Sequence, residues 1–163
     1  MKYFIAFLVG VVFAVSALIA SAQETFTEIN SKHMECMAKA IYFESRNEPL
    51  AGQLAVGLVV KNRSMSDVFP KDICLVVYEG RHDARGVPII NQCQFSWYCD
   101  GLQKRKLDMV QWERALSLAK SILMGSVLDF TDGALFFHSV SVAPNWKLKR
   151  IGSIGNHIFY KRI

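Results

Sequence analysis

The stretch Ala40–Arg63, AIYFESRNEPLAGQLAVGLVVKNR, decides the fold. Just before and within it, apolar residues fall at Met34, Met37, Ala38, Ile41 and Tyr42. That i, i+3, i+4, i+7, i+8 spacing predicts a helix from Lys32 to about Ser45 with one buried stripe. Pro49 opens a second helix, because its missing N–H costs nothing in a first turn. The run LAGQLAVGLVVKNR is apolar nearly all round, which predicts a helix covered on most sides. Gly52 and Gly57 each lower its helix propensity by about 1 kcal/mol relative to alanine. Close packing against a neighbour is the expected reason for them.

Glu44 sits awkwardly in this pattern. At 100° per residue it lies about 20° around the axis from Met37, about 40° from Ala40 and about 60° from Ile41. It therefore falls inside the apolar stripe, near the helix end where the stripe can open onto a cleft. A shielded carboxylic acid has its pKa raised, since burial penalises the charged form, and such an acid can donate a proton near neutral pH. The competing readings are a frayed end that turns Glu44 to water, or a pairing with Arg46 or Arg63. Glu48 would share the face only if the helix continued. Asn47-Glu48-Pro49 predicts that it stops, and Glu48 is then expected to cap the Pro49 helix.

Outward from this centre, Phe69-Pro70 breaks the chain and Ile73–Tyr78 fits a strand or a helix equally. Glu79–Asp100, rich in Gly, Pro, Asn and Cys, reads as irregular loops, a length of loop that tends to carry function. A third helix follows Asp108 as cap, with Gln111 at the capping-box position and Trp112, Ala115, Leu116, Ala119, Ile122 and Leu123 as its stripe. Gly125 suits its end. Thr131-Asp132-Gly133 is a turn, ALFFH is strand-like, and His157–Tyr160 is strand-like after the Gly-punctuated IGSIGN. The fold class expected is α+β, mainly helical, a single domain with a small β element near the C-terminus.

Residues 1–22 differ from the rest. Lys2 precedes an apolar run that ends in Ala20-Ser21-Ala22, which reads as a secretory signal peptide cleaved before Gln23, or as a retained signal anchor. Both put the remainder outside the cytoplasm, periplasmic or secreted, with contact to a membrane only through residues 1–22. The chain has 19 Lys and Arg against 14 Asp and Glu. Loss of Lys2 leaves a mild net charge of +4, and no aromatic-basic motif points to nucleic acid. About 140 residues suffice for one real core. Cys36, Cys74, Cys93 and Cys99 form an even set in an exported chain, so disulfides are expected. Three pairings are open; CQFSWYC closing as a hairpin would favour Cys93–Cys99 with Cys36–Cys74.

Other chemistry is thinly supported. The four histidines, 33, 82, 138 and 157, are scattered without HExxH, and no metal or cofactor is expected. There is no G-x-S-x-G elbow and no phosphate loop. His138 and His157, each beside aromatics, read as hydrogen-bonded structural histidines. Gln94-Phe95-Ser96-Trp97-Tyr98 interleaves aromatics with amide and hydroxyl groups, which suits either sugar recognition or a hairpin packed on the core.

In order, AIYFESRNEPLAGQLAVGLVVKNR, FPKDICLVVYEG, CQFSW, DGALFFH and IGNHIFY resemble the cell-wall hydrolase family typified by the catalytic domain of the spore cortex-lytic enzyme SleB. The likeness runs from about Glu35 to Tyr160, so 23–34 becomes a lead-in and 35–163 the catalytic domain. It implies a lysozyme-like fold and a lytic transglycosylase acting as a monomer on peptidoglycan glycan strands. Such an enzyme cuts between N-acetylmuramic acid (MurNAc) and N-acetylglucosamine (GlcNAc) and leaves a 1,6-anhydroMurNAc end. By likeness of position, the catalytic glutamate falls on Glu44, and Gln94, Ser96, His138 and Asn156 line the glycan groove. Asn47 stands where the family usually has Gly, and is expected to take the left-handed turn. The alternatives are a muramidase using water with Glu48 or Asp100 assisting, a phage lysis enzyme (endolysin) first held in the membrane, and a glycan-binding module without catalysis.

Overall fold

A computed structural model describes residues 30–163, of which 33–163 form one compact unit. The leader assigned to 1–22 and most of the lead-in lie outside the described residues. Within the unit, α1 runs to residue 45 and buries Cys36, Met37, Ala38, Ala40 and Ile41 completely or nearly so. The chain turns over Arg46–Pro49 and enters α2 (Leu50–Met65), which is buried almost all round. Gly57 is the reason this is possible. A Cβ there would stand 2.5 Å from Ile122 Cδ1 and 2.9 Å from Ile41 Cδ1, so three helices meet where the side chain is missing.

The short helix α3 (Ile73–Val77) resolves the ambiguous run after Pro70; Asp72 caps it, accepting from the Leu75 amide. Cys36 is bonded to Cys74, which fastens α1 to α3. The segment expected to be irregular is instead ordered. It holds a hairpin of β1 (Gly80–His82) and β2 (Pro88–Cys93), followed by α4 (Ser96–Cys99). Asp83 fixes the tight turn between the strands by accepting from the amides of Arg85 and Val87. CQFSWYC is thus not a hairpin. Its cystine, Cys93–Cys99, joins the end of a strand to a helical turn.

A 3-10 turn (Leu102–Lys104) leads to α5 (Met109–Leu123), whose cap is Asp108, accepting from the amides of Val110 and Gln111. The reciprocal half of the expected capping box is absent. The Asp108 N–H donates to the Tyr42 hydroxyl at 2.8 Å, so α1 completes the cap that Gln111 was expected to close. Gly125 ends the helix with a positive φ of 75°.

A three-stranded antiparallel sheet, order β3-β5-β4, closes the chain: β3 (Phe136–Ser139), β4 (Lys149–Ile154) and β5 (His157–Lys161). Phe159 packs with Ala55, Val59 and Ala134 in a small second core that seats the sheet on α2. Asn62 and Arg63, at the end of α2, hold the start of β3 through the carbonyls of Ala134 and Leu135. The architecture is α+β and mainly helical. Among the described residues no helix is long and apolar enough to cross a membrane.

Candidate active site

Glu44 stands in the last turn of α1. The turn stays closed because the Ser45 hydroxyl donates to the Ile41 carbonyl at 2.7 Å. The Glu44 carboxyl faces a pocket of about 320 Å³, walled by the α1–α2 turn on one side and on the other by Ser139 and His157 of the sheet and Asn156 of its β4–β5 turn. It is enclosed by protein on most sides but keeps some surface on the pocket. Burial raises its pKa to about 7, and the positive charge of Arg63 pulls back against that rise.

Arg63 is itself buried, with Nε donating to the Leu135 carbonyl at 2.8 Å and its guanidinium lying 5.0 to 5.9 Å from the rings of Phe69, Phe95 and Phe136. Burial lowers its pKa to about 10, opposed by Glu79 and Glu44. It makes no ion pair with either acid among the described residues, so it acts on Glu44 through space. Phe43 stacks on the buried Trp97 at 4.8 Å and gives the pocket a stiff edge.

Glu48 has a different task from the one expected. It does not cap α2, whose Pro49 N-cap has no side-chain cap bond. Its two oxygens accept from the Asn156 amide at 2.7 Å and from Asn156 Nδ2 at 3.1 Å. The β4–β5 turn is thereby anchored to the turn between α1 and α2. Gly155, at φ +58°, lies so close that a Cβ would meet the Glu48 carboxylate. Asn47 does not adopt the left-handed conformation expected of it; among the described non-glycine residues positive φ occurs at Asn91 and Asp132.

Of the other candidates, Asn156 lines the Glu44 pocket through this anchor. Gln94 lies on a separate pocket of about 400 Å³ with Glu79, Arg81 and Gln92. Ser96 is exposed in the first turn of α4, and Asp100 closes the end of that helix. Phe95 and Trp97 are core residues, 1% exposed, and offer no face to a sugar. His138 does not reach the Glu44 pocket. Its Nδ1 donates to the Ser139 carbonyl at 2.8 Å, Nε2 meets the Tyr160 hydroxyl at 3.0 Å, and the ring packs on Tyr160 and Trp146. Strand alternation puts it on the opposite face from Ser139.

His157 takes the place expected of His138. It is 8% exposed and packs edge-on against Phe137 at 5.1 Å. Its Nδ1 is buried with no partner. Burial lowers its pKa, with Glu48 opposing and His138 assisting. The signal for it was present in HIFYK, where period-two spacing puts His157 with the core residue Phe159.

These features belong to a known class. A family model described as Cell Wall Hydrolase matches residues 47–160, opening three residues past Glu44. The chain belongs to that family. It is 31% identical over 131 residues to the spore cortex-lytic enzyme of Bacillus cereus, covering 78% of this chain and 44% of that protein. The spore cortex-lytic enzyme of Halalkalibacterium halodurans is 31% identical over 129 residues, covering 77% of this chain and 34% of that one. The chain thus spans less than half the length of these curated relatives. Among solved structures, the catalytic domain of the Bacillus cereus SleB protein superposes with a TM-score of 0.58 at 29% identity, covering 80% of this chain and 91% of that one. The catalytic domain of the germination-specific lytic transglycosylase SleB from Bacillus anthracis gives 0.58 at 31% identity, with 79% and 93% coverage.

Proposed function

We propose that this chain is an exported lytic transglycosylase that cleaves the MurNAc–GlcNAc bond of peptidoglycan with Glu44 as its single general acid and base. The observation that carries the reading is the contrast of two acids at one pocket. Glu44 is unpaired, mostly enclosed and half-protonated near pH 7, whereas both oxygens of Glu48 are engaged by Asn156. An ordinary glycosidase pair needs a second free carboxylate as nucleophile or base. A lone acid suffices when the substrate brings its own nucleophile.

Glu44 protonates the leaving O4 of GlcNAc as the C1–O4 bond breaks. The 6-hydroxyl of MurNAc then forms the new C1–O6 bond and gives its proton to the Glu44 carboxylate, which restores the acid. The product is a 1,6-anhydroMurNAc end, and no water is consumed. Similarity to a domain described as a lytic transglycosylase supports the reading. Residues 1–22 as an export signal, cleaved or retained, complete it.

The test is to incubate the purified chain with peptidoglycan and analyse the fragments by mass spectrometry. Anhydro ends are expected. Reducing MurNAc ends would overturn the transglycosylase reading in favour of a muramidase, and sacculus binding without any release would leave a glycan-binding module.

A further inference from the structure

We infer that His157 contacts the substrate, presenting its Nε2–H across the pocket from Glu44 to a carbonyl or hydroxyl oxygen of an N-acetylated sugar. The inference rests on the glycan-cleaving reading and adds a residue to it. Two histidines stand in this sheet, and only one is fully used by the protein. His138 spends both ring nitrogens on Ser139 and Tyr160. His157 has neither nitrogen bonded to any described residue, although it is more than nine-tenths buried.

Buried polar groups are nearly always paired, so an unpaired imidazole at the wall of a pocket calls for an external partner. Nδ1 is sealed from solvent and has no acceptor near it. Sealing an N–H there would be costlier than sealing a lone pair, since orphaned buried donors are the rarer kind. The proton therefore belongs on Nε2, and the surface His157 retains lies on the pocket it shares with Glu44. The aromatic contacts with Phe137 and Phe159 fix the ring plane. The Glu48–Asn156 anchor, one residue away, fixes the strand that carries it. A rigid, uncharged donor suits an acetamido carbonyl or a ring hydroxyl, both plentiful on the proposed glycan.

The experiment compares His157→Phe, His157→Gln and His157→Asn, each also in a Glu44→Gln background. Activity is read as kcat/KM on peptidoglycan, and binding as calorimetric affinity of the Glu44→Gln forms for a GlcNAc–MurNAc tetrasaccharide. A Gln amide nitrogen reaches the position of Nε2; an Asn amide reaches only that of Nδ1. Phe and Asn are expected to lower affinity and kcat/KM roughly 10- to 100-fold, and Gln to recover to within about fivefold. Thermal unfolding separates a folding defect from a contact defect, and Gln against Asn decides the matter if Phe does not fold. Equal losses in Gln and Asn, or no loss in any variant, overturn the inference while wild-type lysis upholds the parent reading. Absence of both lysis and tetrasaccharide binding in the wild type overturns both.

Discussion

The last turn of α1 and the loop that follows it carry one glutamate each, four residues apart, and their surroundings are opposite. Glu44 points into a pocket with no hydrogen-bond donor on its carboxyl among the described residues, and burial holds its proton on to about pH 7. Glu48 sits where the helix has ended and receives an amide N–H and a side-chain N–H from Asn156. On the proposed reading, the first acid is kept for chemistry and the second serves architecture. The largest expected effect tests that division directly. Glu44→Gln should lower activity on peptidoglycan by about a thousandfold, within the range for loss of a general acid. Glu48→Gln should stay within about tenfold of wild type, because its amide oxygen still accepts from the turn. Equal, near-total losses in the two would make Glu48 a second catalytic carboxylate and favour a water-using muramidase.

The same contrast predicts a stability gap that opens as pH rises. The Glu44 pKa is raised from 4.5 to about 7 in the folded chain. Between those pH values the folded state holds a proton that the unfolded state has released. The neutral acid's full stability is therefore present below about pH 4.5 and is lost as pH climbs through 7. At 1.36 kcal/mol per unit the loss is about 3 kcal/mol. Glu44→Gln is uncharged throughout, so it should match wild type at pH 4 and exceed it by about 3 kcal/mol at pH 8 in urea unfolding. Were the variant no more stable at pH 8, Glu44 would stand in water as a frayed helix end. Wild-type activity should also fall as pH passes above 7 and the acid deprotonates.

How much of this could be read in the sequence follows from the range of the interactions involved. The stripe of α1, the inward turn of Glu44 and the Asp108 cap are local or depend on helical period, and each was legible; Gly57 signalled close packing but not that Ile41 and Ile122, on two other helices, supply it. The β1–β2 hairpin was not, because its strands are short and Asn91 interrupts the second with a φ of 61°. β4 was hidden by Gly152 and an irregular register beside it. Glu48 looked like a helix cap because its true partner lies 108 residues away. Gln111 looked like half a capping box because the Tyr42 hydroxyl that replaces it comes from another helix. The two histidines show the limit most clearly. Both sit in apolar strands, but only pairing and register tell which face each one takes.

The smallest expected effect isolates the seat of Glu48 from simple backbone strain. Gly155 and Gly133 both hold positive φ, at 58° and 71°, and alanine costs about 1 kcal/mol in that region. A Cβ on Gly133 meets nothing within 4 Å, whereas one on Gly155 meets the Glu48 carboxylate and has Pro49 Cδ at 3.5 Å. Gly133→Ala should therefore cost only the strain, about 1 kcal/mol, and leave activity near wild type. Gly155→Ala must also push the turn off its acceptor, for a total of about 2 kcal/mol. It should reduce activity as well, because Asn156 and His157 move with the turn. The double-mutant cycle with Glu48→Ala separates the parts. Once the carboxylate is gone, the Gly155 substitution should cost no more than the one at Gly133. A coupling energy of zero would mean that the turn holds its place without Glu48, and the architectural role of that acid would fall with it.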